Sequence, residues 1–325
     1  MQKLIKKMQK GELHVHLNGL ASTSLVQKLL IEEKAEIPAG FNLNVDLLRT
    51  SPSTDLETYL KPWQVLRLIP RSKAALGLVI DSAFENLQSQ NVTFVELRNS
   101  VIYIALLNNI TISTALSWLI HEIDRASDKY SIKAGLIITI SRGDYAPDHL
   151  RSLMEAYVQL GRPDRVIGLD LAGNEDTTSP VELGQLFRKA KEEQGLKITI
   201  HAGETGNPEN IRDAIINFDA DRIGHGTAAY KSLAVMDMLR DRDICVEVCP
   251  ISNRLTGAVG AHESHPVSEF IKMGVPFVIC SDNPSIHDSN INEDYLEFYR
   301  ETHNIDILES MLNRQIKYTF LRGIN

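Results

Sequence analysis

Residues 166–204, VIGLDLAGNEDTTSPVELGQLFRKAKEEQGLKITIHAGE, hold a strand, a helix and a second strand in succession. VIGLDL (166–171) and KITIHA (197–202) are short, continuous apolar runs. Between them VELGQLFRKAKEEQ has an amphipathic helical rhythm and follows Ser179-Pro180, a pair suited to starting a helix. Short apolar strands separated by helices are expected to run parallel and to be buried on both faces.

The same alternation continues in both directions. Further strands are expected at ELHVHL (12–17), TFVELR (93–98), AGLIITI (134–140), RIGHG (222–226), CVEVC (245–249) and FVICSD (277–282). Helices are expected after Ser72 and, in the run STALSWLIHEIDRASDKY, from Ser113. Eight strands alternating with helices predict an α/β fold, a (β/α)8 TIM barrel formed by residues 1–325 as one domain. A doubly wound open sheet is the competing architecture, but the Gly-rich turn it usually carries after the first strand is missing. Residues 36–70 are irregular, with Pro38, Gly40, Pro52, Pro62 and Pro70. They read as an insertion, helical in part, that covers the barrel mouth. Residues 291–325 read as helices packed outside the barrel.

Composition narrows the classes. The 325 residues are 43% hydrophobic and 23% charged, with a net charge of −8. An acidic balance argues against nucleic acid or an anionic membrane surface as the main partner, while leaving room for a small ligand. There is no apolar run of membrane-spanning length, and the opening MQKLIKKMQKGE lacks a signal-peptide core. A cytoplasmic location is the expectation. Cys245 and Cys249, read in one strand, would lie about 13 Å apart, too far for a disulfide. With Cys280 they read as core residues.

Barrels of this kind build their sites at the C-terminal ends of the strands. Four of the eight ends carry histidine or aspartate: His14 and His16 in ELHVHLNG, His201 in ITIHAGET, His225 in RIGHGT and Asp282 in CSDNPS. Residues two apart in a strand share a face, so His14 and His16 converge. Three imidazoles and one carboxylate suit Zn²⁺ with a position left for water. The H-x-E and P-C-x-x-C signature of cytidine-type deaminases is absent. Glu204, three residues after His201, places a carboxyl beside such a centre, where a raised pKa would make it a general acid. Asp170 reads as a structural acceptor nearby. His262, Glu263, Ser264 and His265 read as a solvated loop and helix cap. His121, His149 and His303 read as surface residues.

ELHVHLNG, LDLAGNE, ITIHAGET, DRIGHGT, VEVCPISN, LTGA and CSDNPS together resemble the adenosine deaminase family, a metal-dependent branch of the amidohydrolases. They span residues 12–284 in family order. The resemblance implies one zinc ion on His14, His16, His201 and Asp282. It implies Glu204 as proton donor and His225 as the histidine that orients the attacking water and takes up its proton, with Asp282 also catalytic. His16, Asn18, Gly173 and Asn283 are the implied substrate contacts. Two positions depart from the common pattern: Asn18 and Asn283 stand where many members carry Asp.

The implied reaction is hydrolytic deamination of adenosine or deoxyadenosine, a purine nucleoside. HLNG also occurs in relatives that act on N6-substituted adenosine monophosphates, which makes a nucleotide the competing substrate. Another hydrolase with two metals would carry a lysine at the end of strand four, and the chain reads LDLAG there. The sequence leaves the oligomeric state open.

Overall fold

The computed structural model describes residues 1–324. Its strands are β1 (Lys10–His16), β2 (Val92–Asn99), β3 (Lys133–Ser141), β4 (Val166–Ala172), β5 (Lys197–Ala202), β6 (Arg222–His225), β7 (Cys245–Val248) and β8 (Phe277–Ile279). Each pairs in parallel with the next in sequence order. The ring closes beyond β8, where Asp282 bridges Val15. His16 N–H donates to the Asp282 carbonyl and Asp282 N–H to the His14 carbonyl, each at 2.9 Å. The chain forms the expected (β/α)8 barrel.

Helix starts follow local chemistry. Ser72 accepts from Ala75 N–H at 3.0 Å and caps the helix Lys73–Ser89. That helix buries Leu76, Val79, Ile80, Ala83 and Leu87, spaced at three and four residues on one face. Two expected starts move. The helix read from Ser113 begins at Ile112, because Thr111 Oγ1 accepts from Thr114 N–H. The helix read from Val181 begins at Glu182, and Ser179 does not cap it. All three cysteines are buried and free; Cys249 lies just past β7, not within it.

The strands are buried on both faces as expected, but the face turned to the barrel interior is largely polar. Leu13, Val15, Val95 and Leu97 are buried, and so are Glu12, His14, Glu96, Arg98, Thr199, Arg222 and Glu247. Alternation divides them: the aliphatic side chains of β1 and β2 take one face and the polar ones the other. Arg222 joins Glu96 to Glu247, and Arg98 joins Glu247 to Asp170. These charges are paired, as burial requires. At the N-terminal end, Gln315 of the helix Met311–Tyr318 accepts from Gly11 N–H at 2.9 Å and donates to the Ile279 carbonyl at 3.1 Å. This helix therefore ties β1 to β8, and just beyond it Thr319 and Phe320 reach Glu96 and Arg222 of the barrel interior.

Residues 36–70 form the expected partly helical cover, with turns at Leu56–Tyr59 and Trp63–Leu66. They are tied down by Arg49 N–H to the Ile286 carbonyl and Ser53 N–H to the Leu255 carbonyl, both 2.8 Å. Among the described residues no single helix is long and apolar enough to cross a membrane. Replacing Arg222 by Met should lower unfolding stability by about 3–5 kcal/mol, because Glu96 and Glu247 lose a buried countercharge. Denaturant titration measures this, and a change below about 1 kcal/mol would show that the ion pairs contribute little.

Candidate active site

His14 of β1 and His201 of β5 are each aimed by a carboxylate behind the ring. His14 Nδ1 lies 2.7 Å from Glu247 Oε2 on β7, and His201 Nδ1 lies 2.8 Å from Asp170 Oδ1 on β4. A carboxylate accepts, so both Nδ1 atoms carry hydrogen and each ring turns its Nε2 toward the cluster. Burial raises the cost of an ionised Glu247, but Arg98 and Arg222 outweigh it and hold this carboxyl well below its ordinary range. Asp170, the expected acceptor, is held low by His201 and Arg98 against the same burial.

The free faces converge. His16 Nε2 is 3.3 Å from His201 Nε2 and 3.4 Å from Asp282 Oδ1, and His14 Nε2 is 3.6 Å from the same oxygen. Burial pushes the His16 ring down to about 3, so it is neutral. One donor atom from each of His14, His16, His201 and Asp282 lies within 4.8 Å of every other. Lone pairs and a carboxylate oxygen facing one point repel each other unless a cation sits among them, so this donor set fits a divalent metal. Gly224 makes the room: a Cβ there would stand 3.0 Å from His14 Cε1.

Asp282 and His225 both adopt φ of +62°, a left-handed conformation unusual for side chains of this kind. Asp282 Oδ2 accepts from Ser252 Oγ at 2.6 Å and from the Tyr59 hydroxyl at 3.3 Å. His225 Nε2 lies 3.6 Å from Glu204 Oε1. Burial, then the charges of Asp282 and Glu175, push the Glu204 carboxyl well above its ordinary range. A shift in this direction favours the protonated form, which a general acid requires.

These residues meet in a cavity of about 240 Å³ at the C-terminal mouth. His16, Asn18, Gly173, His201, Glu204, His225, Asp282 and Asn283 line it, with Tyr59 and Trp63 of the covering segment. His14 is fully buried beneath. Asn18 has a second task. Its Nδ2 donates to the Leu66 carbonyl at 2.9 Å and so holds the cover in place. An aspartate could not make that bond. Asn283 Nδ2 donates to Asp282 Oδ1 at 2.7 Å, which fixes its orientation likewise.

Several contributors were not foreseen. Glu247 sits inside an apolar strand, and its role shows only once β1, β2, β6 and β7 are brought together. Glu175, in the LAGNE run, accepts from Gly203 N–H at 2.6 Å and from Thr205 N–H, fastening the loop that carries Glu204. Asn253, in the CPISN run, lies 3.0 Å from His225 Nδ1. The reading of HESHP needs correction at one residue. His262, Glu263 and Ser264 are exposed as expected, but His265 is buried and its Nε2 lies 3.1 Å from Asn253 Oδ1. His287, also buried, lies 2.8 Å from the Tyr59 hydroxyl.

Metal-type donors at the strand ends of a parallel eight-stranded barrel give the architecture of a barrel metalloenzyme. Within that class the assignment is specific. The sequence model described as adenosine deaminase matches residues 9–319, and the chain belongs to this family. An adenosine deaminase of Clostridium kluyveri is 27% identical over 326 residues, covering 98% of this chain and 92% of the relative. An adenine deaminase structure from Arthrobacter aurescens has a TM-score of 0.85 at 19% identity, covering 96% of this chain and 94% of that one. An Arabidopsis N6-mAMP deaminase structure has a TM-score of 0.82 at 20% identity, covering 99% and 96%. The two structures share the barrel.

Replacing Glu175 by Ala should free the Gly203 and Thr205 amides. Their hydrogen exchange should rise about tenfold or more, the scale of a lost charge-assisted bond. Unchanged protection at both amides would show that Glu175 does not hold the loop.

Proposed function

We propose that this enzyme hydrolyses adenosine or deoxyadenosine to inosine or deoxyinosine and ammonia, using one zinc ion. The observation that carries this reading is the Glu204 carboxyl, whose protonated form burial favours, set in one cavity with three imidazoles and Asp282. His14, His16, His201 and Asp282 would hold the ion, and nitrogen and oxygen donors of this kind suit zinc. When bound, zinc acts as a Lewis acid that lowers the pKa of water from about 16 to about 7.

The residues supply the rest of the chemistry. Glu204 gives its proton to the ring nitrogen beside the amino-bearing carbon, which makes that carbon electrophilic. The water oxygen adds to it, oriented by His225, and the proton it loses passes to Asp282. Asp282 delivers that proton to the amino group, the carbon–nitrogen bond breaks and ammonia leaves. The hydroxyl proton of the intermediate returns to Glu204, and the product keeps the proton on its ring nitrogen. Asn283 and Gly173 line the cavity where the purine would lie, and Asn18 where the sugar would.

The likeness to an adenosine deaminase at 27% identity, against 20% for the N6-mAMP deaminase structure, supports a nucleoside over a nucleotide. The Oδ1 atoms of Asn18 and Asn283 are buried without a partner, and both amide groups are anchored through Nδ2. Asn18 also has its own reason to differ from Asp, namely its bond to Leu66.

Ammonia release should be fast with adenosine and deoxyadenosine and slow with adenine, AMP and N6-methyl-AMP. Release only from the phosphorylated compounds would move the substrate to the nucleotide. Glu204→Gln should lose at least ~100-fold in turnover with metal content unchanged, the usual scale of acid–base catalysis. Retained turnover would remove Glu204 from the role of acid. Glu247→Gln should weaken zinc binding about 10- to 100-fold, since it orients His14 from behind. Competition against a chelator measures this, and undiminished affinity would refute that orienting role.

A further inference from the structure

The tautomer of His225 can be followed from a donor whose identity is fixed. The backbone N–H of Val267 can only donate, and it points at His265 Nδ1 at 3.1 Å. That nitrogen therefore carries a lone pair. Burial, then the charge of Arg254, pushes the His265 ring down to about 3, so it is neutral and its hydrogen is on Nε2. His265 Nε2–H then donates to Asn253 Oδ1 at 3.1 Å. With its oxygen so engaged, Asn253 turns Nδ2 toward His225 Nδ1 at 3.0 Å and donates to it. All three side chains are buried, so water does not compete for these bonds.

We infer that Asn253 and His265 are positioning residues that fix His225 as the Nε2–H tautomer, so that it meets the reacting centre as a hydrogen-bond donor. The mechanistic meaning of this rests on the deaminase reading. It revises one expectation drawn from the family resemblance, that His225 takes up the proton of the attacking water. The nitrogen facing the cavity already bears a hydrogen, and the other is closed off by Asn253. The ring instead holds the attacking oxygen by its N–H and stabilises charge that builds there. The water proton goes to Asp282 in the proposed reaction, so no proton is left unassigned. The same tautomer faces Glu204 Oε1 with an N–H at 3.6 Å. It leaves the acid proton of Glu204 on the other oxygen, free for the substrate.

The test is nitrogen-15 NMR of the imidazoles in the full-length protein, with and without zinc, which is diamagnetic. Among ten histidines, signals of His225 and His265 are assigned by their loss in His225→Gln and His265→Gln. Both rings should show protonated Nε2 and unprotonated Nδ1. Asn253→Asp offers two acceptors in place of a donor and should move the hydrogen of His225 to Nδ1. Its kcat should fall about 10- to 100-fold with KM little changed, the range of a positioned proton-handling group. His265→Gln restores an N–H donor to Asn253 and should keep the tautomer and most of kcat, even if the Asp variant folds poorly. A wild-type His225 with hydrogen on Nδ1, or a His265→Gln protein in which the tautomer changes, would overturn the inference. The tautomer is read without substrate, so a protein inactive on every purine would count against the deamination reading and leave this assignment to stand on its spectrum.

Discussion

A single carboxylate ties the barrel together. Glu247, on β7, accepts from His14 on β1, Arg98 on β2, Thr199 on β5 and Arg222 on β6. Its two oxygens thus bring four other strands to one point inside the barrel. Such a group is costly to bury and cannot be left half-satisfied, so the four donors must arrive together or not at all. The result is a floor of fixed charge on which His14 stands in one tautomer. Asp170 does the same for His201 from β4. The geometry of the metal-type cluster is therefore set from behind by Glu247 and Asp170, which do not line the cavity.

The architecture was legible because its signal is repeated. Eight apolar runs with helical stretches between them leave few alternatives, and the strand-end rule then selects His14, His16, His201, His225 and Asp282 without any structure. In the structure His14, His16, His201 and Asp282 converge on one point, with the His225 ring beside them. Helix starts were less legible, since Thr111 and Ser113 are both fit to cap and only the observed bond from Thr114 decides between them.

The layer behind the site stayed hidden. Glu247 and Arg222 look like polar interruptions of strands, and nothing in their spacing says that they meet. His265 sits in a run of polar residues that otherwise is solvent-exposed. The signal that could have distinguished it is the Pro266-Val267 start of the next helix, which leaves a backbone N–H needing an acceptor. In the sequence Asn18 stands out only as a departure at a substrate contact. Its partner, the Leu66 carbonyl, is 48 residues away and carries no sequence mark.

The covering segment has a further consequence. A flap over a barrel mouth commonly touches the rim alone, yet Tyr59 reaches past the rim to His287, Asp282 and Asn283. Lifting the flap would strip Asp282 Oδ2 of one of its two donors and leave Ser252 to hold it. Entrance and floor are thus mechanically one piece, and any displacement of Tyr59 would be transmitted directly to the carboxylate.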